Sequence, residues 1–341
     1  MADPGQRPMS FISFDVEALP GRASRDPVDR LVWGRVGGGE FGIGRISGIL
    51  KQHGIKGNFL IDFASCLLYG DRAVGEIADY LLAEGHEVHV HLHSEWMVRK
   101  WGLQSRRWSA TVGMDQIDGP LSEALLEYAA LKYQSLVGLE PALFRAGAFR
   151  FNAATLAAAE RAGFKVCSNF NSERHAASWS STDPAAINNE PFRWSDKLVE
   201  LPVDFAPEPL SHDWGIYEGF FCRVHDRKKI KTFNLTLHSW SLLRLGEKGH
   251  FDDYAPAHEE RLHQICEHLQ ACTRPLGYGD FIACGMAIPA LSDCRCNLMP
   301  GPMDSAAAQC PACRAVYATE AFPGGLCPSC GATGQPWNPG R

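Results

Sequence analysis

Three histidines stand at every second position in Val88-His89-Val90-His91-Leu92-His93. In an extended strand that period sends the imidazoles to one face and Val88, Val90 and Leu92 to the other. One aliphatic face and one imidazole face predict a divalent metal site at the mouth of a parallel sheet. Such a site calls for a carboxylate, and Asp15-Val16-Glu17 supplies two at the end of the apolar run Phe11-Ile12-Ser13-Phe14. Asp15 and Glu17 are two apart and share a face, so one can bind an ion while the other takes a proton. The competing reading, a solvated strand end beside hydrogen-bonded core histidines, lacks a reason for both patterns to occur together.

A second cluster lies near the carboxyl terminus, where Cys310-Pro-Ala-Cys313 and Cys327-Pro-Ser-Cys330 are separated by 13 residues. Two such knuckles bring four thiolates around one tetrahedral Zn²⁺, and a shell closed by four sulfurs has no open position for chemistry. The pattern resembles a rubredoxin-like zinc ribbon, with a structural zinc and an expected role in docking another protein. The other cysteines are scattered, and Cys66, Cys167, Cys222, Cys266, Cys272 and Cys284 read as buried reduced thiols. Cys294 and Cys296 fall outside the knuckle spacing.

The elements that must position the first cluster alternate. An apolar strand over 8–16 is followed by a helical pattern over 44–53, a strand ending at Asp62, a helix over 73–84 closed by Gly85, and the histidine strand. Further on come a helix over 121–137, a short strand over 142–147, a helix over 153–161 capped by Asn152 and closed by Gly163, and a strand over 164–170. Strands over 198–205, 233–240 and 280–284, with a helix over 258–271, complete the reading. Repeated strand-helix pairs predict a parallel sheet, open or closed into a barrel, with active residues at the carboxyl ends of its strands. Composition turns to Pro, Gly, Ala, Ser and Cys after Met286, which places a boundary near residue 300.

The chain's 341 residues accommodate an α/β barrel with an appendage. A formal charge of -6 gives no basic field, so nucleic acid is not an expected partner. No apolar run approaches the roughly 20 residues of a membrane span, and MADPGQRPMS lacks an apolar signal core. A cytoplasmic location is the expectation.

Five motifs in order resemble the NodB-type polysaccharide deacetylases: Ser-Phe-Asp-Val-Glu, Gly-Ile-Lys-Gly-Asn-Phe-Leu, Glu-Gly-His-Glu-Val-His-Val-His, Phe-Arg-Ala-Gly and Leu-His-Ser-Trp. The resemblance covers about residues 8–285 and looks closest to the branch tied to lipopolysaccharide and other surface-polysaccharide biosynthesis. It implies a distorted (β/α) barrel over 1–300, followed by the ribbon over 301–341. It also implies a metal-dependent hydrolase that removes an acetyl group, chiefly N-acetyl, from a sugar or glycan precursor. Asp15 matches the family's catalytic base, Glu17 its metal-binding acid, His91 its first metal histidine, Arg145 the arginine that orients the base, and His238 the general acid.

The family's second metal histidine stands four residues after the first, and here that position is Glu95. Alternate strand residues are about 6.6 Å apart and residues four apart about 13 Å, so His91 and His93 can meet on one ion directly. His91 and Glu95 can do so only if the chain turns near Ser94. His93 is therefore the preferred ligand and Glu95 the alternative, with Zn²⁺ or a similar divalent ion as cofactor. His89, one step deeper, supports them from behind or belongs to the core, and His86 reads as a surface loop residue. Trp33, Trp96, Trp101, Trp108 and Trp240 include candidate sugar platforms. Gly37-Gly38-Gly39 reads as a flexible loop near the site. Two other functions stay open: hydrolysis of another non-peptide C–N bond, and a non-catalytic carbohydrate-binding or assembly protein.

Overall fold

The computed structural model describes residues 7–95, 113–117, 119–175 and 184–291, with short strands at 179–180, 295–296, 307–309, 316–318 and 335–336. Strand β1 (Met9–Val16) leads through helix α1 (Ile43–Gln52) to β2 (Asn58–Asp62), then α2 (Cys66–Ala83) and the histidine strand β3 (Glu87–Leu92). Next come α3 (Gly119–Val137), β4 (Leu143–Ala146), α4 (Ala153–Arg161), β5 (Val166–Cys167) and β6 (Val199–Glu200). Helix α5 (Trp214–Arg227), β7 (Thr232–His238), α6 (Pro256–Cys272) and α7 (Tyr278–Ala283) complete the body. The strands lie in the order β7-β1-β2-β3-β4-β5-β6, each parallel to its neighbour.

The sheet curls until the segment after β6 meets β7. There Asp204 N donates to Asn234 O at 2.9 Å and Thr236 N to Phe205 O at 2.9 Å. The result is a distorted parallel barrel whose strands are too few and too short for eight regular units, as the resemblance implies. Alternation along each strand sorts its layers. Ile12, Phe14 and Val16 pack with Val88, Val90 and Leu92 beneath the helices. Facing inward, Met9, Phe11, Leu60, Leu143, Val166 and Leu201 fill the barrel floor with Tyr278 and Phe281. Above that floor lie the fully buried Ser13, Asn58, Arg145, Ser168 and Asn234, and above them the carboxylates and histidines at the carboxyl rim.

Local signals explain the helices. Ile43, Ile46, Ile49 and Leu50 recur at helical spacing and are buried. Asn152 caps α4, its side chain accepting from Thr155 N at 2.9 Å while Thr155 Oγ1 accepts from Asn152 N at 3.2 Å. Four expectations are corrected. Residues expected as a strand at 280–284 belong instead to α7, where Asp280 accepts from Gly277 N at 3.0 Å and Tyr278 and Phe281 share one buried face. Cys222, Cys272 and Cys284 are exposed, while Cys66, Cys167 and Cys266 are buried. Gly37 and Gly38 form the turn of a tight hairpin, with φ +56° and +83°, where left-handed backbone favours glycine. His86 is buried, with Nε2 2.9 Å from Ser47 Oγ and Nδ1 accepting from Gly57 N at 3.1 Å.

One ion pair ties the barrel closure together. Lys228 Nζ lies 2.6 Å from Asp204 Oδ1 with both side chains 1% exposed, and Asp204 Oδ2 accepts from Asn234 N at 2.9 Å. Removing one partner strands a buried charge, so Lys228→Met is expected to lower stability by about 3–5 kcal/mol. Asp204→Leu/Lys228→Met should recover most of that loss. Urea unfolding of the three proteins checks this, and a single-variant loss under about 1 kcal/mol would contradict it.

Strands 307–309, 316–318 and 335–336 form a small antiparallel sheet. Cys310, Cys313, Cys327 and Cys330 lie outside the described residues, as do Trp96, Trp101 and Trp108.

Candidate active site

Parallel pairing brings the chosen residues to one rim. In register, Asp15 stands beside His238, and Asp62, His91 and Arg145 stand side by side across β2, β3 and β4. Glu17, one residue beyond β1, turns inward and is 3% exposed. Its Oε1 lies 2.7 Å from His91 Nε2 and 2.9 Å from His93 Nε2. Two donors bound at about 2.0–2.2 Å to one ion are themselves roughly 3 Å apart, so the spacing suits a shared cation.

The electrostatics agree with that geometry. Burial alone would raise the Glu17 carboxyl, but the charge of His93 and hydrogen bonds with both imidazoles hold it well below the usual carboxylate range. Burial would depress His93, yet Glu17, Glu95 and Asp62 raise its proton affinity well above an ordinary histidine. The pocket thus collects negative charge that favours a cation. Asp62 Oδ1 accepts from Ala64 N at 3.1 Å and His93 N at 3.3 Å, while the buried Oδ2 has no hydrogen-bond partner among the described residues. Burial, offset by His93 and His91, brings the Asp62 carboxyl up to about 6. Two imidazole nitrogens, one ionised carboxylate and an orphaned carboxylate oxygen fit a divalent ion.

Strand β3 ends at Leu92 and the chain turns into helix at Ser94. That turn carries Glu95 behind the ring, where its Oε2 lies 3.2 Å from His93 Nδ1. His93 therefore points its other nitrogen toward Glu17, with Glu95 held against the far side of the ring. Gly147 makes room for this arrangement. A Cβ there would lie 2.7 Å from His93 Nδ1. His89 is buried one step deeper, 3.1 Å from Glu87, with its ring against Tyr278.

Asp15 is 4% exposed and is held by Arg145, whose Nη1 donates to Oδ1 at 2.7 Å. Arg145 also donates to Ser13 Oγ at 3.1 Å, to Ser168 O and Oγ at 3.0 and 2.9 Å, and to Tyr278 OH at 2.9 Å. The guanidinium is fully buried and fixed on every side. Burial would weaken its hold on the proton, but Asp15 outweighs this.

His238 completes the rim. Donor atoms of Asp15, Glu17 and His238 lie within 4.8 Å of one another. Its ring stacks on Trp240 with centroids 4.6 Å apart, and Glu208 Oε1 lies 2.8 Å from Nδ1. The alignment is poor for a hydrogen bond, so Glu208 acts chiefly by charge. Burial would lower the imidazole, yet Glu208, with Glu17 and Asp15 behind it, raises it to about 9. Trp240 itself is 3% exposed and packs as core, so it is no sugar platform.

Two participants escaped sequence reading. Asp62 ends an apolar strand, a visible signal, but its capping bond to Ala64 N is the role that sequence suggests. Glu208 lies in a loop with no spacing that links it to His238.

No protein-family model matches the chain, and no curated sequence matches it. Among solved structures it is similar to a candidate polysaccharide deacetylase from Mycobacterium smegmatis, at 18% identity and TM-score 0.52 over 86% of this chain and 96% of that one. The likeness is one of fold. A 4-alpha-glucanotransferase from Thermococcus litoralis gives TM-score 0.52 at 10% identity over 84% of this chain, which spans 42% of that enzyme. A polysaccharide deacetylase from Bacillus cereus gives TM-score 0.42 at 14% identity over 86% of this chain and all of that one. The two matches at TM-score 0.52 carry different names, and a shared fold does not assign a reaction.

Proposed function

We propose that the chain is a metal-dependent carbohydrate deacetylase that removes an acetyl group, chiefly N-acetyl, from a sugar or glycan precursor of surface polysaccharide. The observation that carries this reading is the convergence of Glu17, His91 and His93 beside the Asp15–Arg145 pair and His238. Glu17, His91 and His93 would hold the ion, and Asp62 and Glu95 would support them. A divalent ion there supplies positive charge that polarises an acyl oxygen and acidifies water.

The remaining work falls to the chain. Asp15 takes a proton from the attacking water, and Arg145 holds that carboxylate in place. As the water oxygen bonds to the acyl carbon, the C–N bond breaks and His238 gives its proton to the departing amine. A proton held to about 9 keeps His238 in the donor form at neutral pH. The products are acetate and a free amine.

Acetate release from N-acetylated sugars tests this reading. Activity should fall on the alkaline side with an apparent midpoint near 9, as His238 loses its proton. Because Glu208 raises that midpoint, Glu208→Gln should move the alkaline limb to lower pH. A limb that stays in place would remove His238 from the acid role.

The barrel is proposed to end near residue 300, with Cys310, Cys313, Cys327 and Cys330 holding a structural zinc beyond it. The six described cysteines that are free thiols suit a reducing cytoplasm. No helix among the described residues is long and apolar enough to cross a membrane.

A further inference from the structure

Beside the catalytic rim lies a second cleft of about 350 Å³. Its walls come from Phe149 after β4, Asn171 after β5, the segment 203–206 after β6, and one face of α5 carrying Phe220 and Arg223. Those loops all follow carboxyl ends of parallel strands, so the cleft opens on the same side of the barrel as Asp15 and Glu17. Phe149 joins the two sites. Arg145 lies 5.6 Å from the centroid of its ring and Arg174 lies 5.3 Å from the same centroid. Ala148 and Phe149 hold left-handed backbone at φ +52° and +56°, a strain that surrounding structure tolerates mainly where it positions a site.

The cleft is cationic. Arg174 and Arg223 both line it, and among the described residues neither forms an ion pair with a carboxylate. Each guanidinium instead rests near an aromatic ring, Arg174 on Phe149 and Arg223 on Phe220 at 5.4 Å. Partial burial of the Arg174 guanidinium, together with nearby Arg150, weakens its hold on the proton, the mark of a cation without a counterion. The single lining carboxylate, Asp204, is spent on Lys228 at 2.6 Å.

We infer that this cleft binds the diphosphate of an activated sugar, so that the substrate of the proposed deacetylase is a glycosyl diphosphate whose carrier sits over Arg174 and Arg223. Two arginines match the two charges of a diphosphate diester and present the planar donors that phosphate oxygens take in pairs. The word substrate rests on the deacetylase reading, whereas anion binding does not.

The test is calorimetric titration of the full chain with inorganic pyrophosphate in excess chelator, so that no ion at the catalytic rim contributes. Wild type should bind with an affinity that falls as salt rises. Arg174→Gln/Arg223→Gln should bind at least about a hundredfold more weakly, about tenfold for each charge-assisted hydrogen-bond donor removed. Both residues keep exposed surface, so the double variant should fold, and an unchanged melting curve verifies this. Equal binding by the two proteins, or none by wild type at millimolar ligand, overturns the inference. Tighter binding of uridine diphosphate than of pyrophosphate supports it with a nucleotide carrier. Equal binding of the two supports it with recognition ending at the diphosphate. Arginine-dependent binding without acetate release from any sugar would sink the activity and keep the anion site. Acetate release without such binding would sink the anion site alone.

Discussion

Asp15→Asn is expected to lower acetate release by about 10²–10⁴-fold, the usual contribution of a positioned general base. The substitution is nearly isosteric and keeps an oxygen for Arg145, whose other bonds to Ser13, Ser168 and Tyr278 do not involve Asp15. It removes the one feature that the mechanism needs, a carboxylate able to take a proton. Some stability is lost as well, because a buried guanidinium gives up its counterion. Rate and melting temperature should therefore be measured on the same preparation. A folded Asp15→Asn protein within tenfold of wild-type activity would show that the base lies elsewhere.

His91→Ala/His93→Ala should remove one divalent ion per chain and bring acetate release to background. His91 is fully buried and His93 nearly so, and both aim Nε2 at the same oxygen of Glu17. Without them the rim keeps its carboxylates and the single imidazole of His238, a poorer donor set for Zn²⁺. Any zinc held by Cys310, Cys313, Cys327 and Cys330 stays behind, so elemental analysis should show a drop of one ion. Glu95→Gln separates the two ligand assignments. If Glu95 only orients His93, the ion is retained with affinity about 10–100-fold weaker, whereas loss of the ion altogether would make Glu95 a ligand.

Much of this arrangement was legible in the sequence because strand alternation is strict. A period of two placed His89, His91 and Asp15 on the inner face and Val88, Val90, Phe14 and Val16 on the outer one, and the barrel keeps both assignments. Two kinds of feature were hidden. Asp62 and Glu208 meet their partners through packing between distant segments, which no local spacing encodes. Residues 278–283 carry a short apolar pattern that fits strand or helix, and the Gly277–Asp280 cap decides for helix. The cationic cleft was invisible for the first reason, since Arg174 and Arg223 are 49 residues apart and become neighbours of one cleft only when the sheet curls.

Glu17, His91 and His93 are proposed to form the metal site of a deacetylase. The most direct measurement is acetate release from a panel of N-acetylated sugars and sugar diphosphates by the full chain, before chelation, after chelation, and after Zn²⁺ is returned. If that site holds the ion, acetate release should disappear with it, return with it, and stay lost in His91→Ala/His93→Ala. Acetate release that survives in that variant, or its absence from every substrate in the metal-loaded wild type, would contradict it.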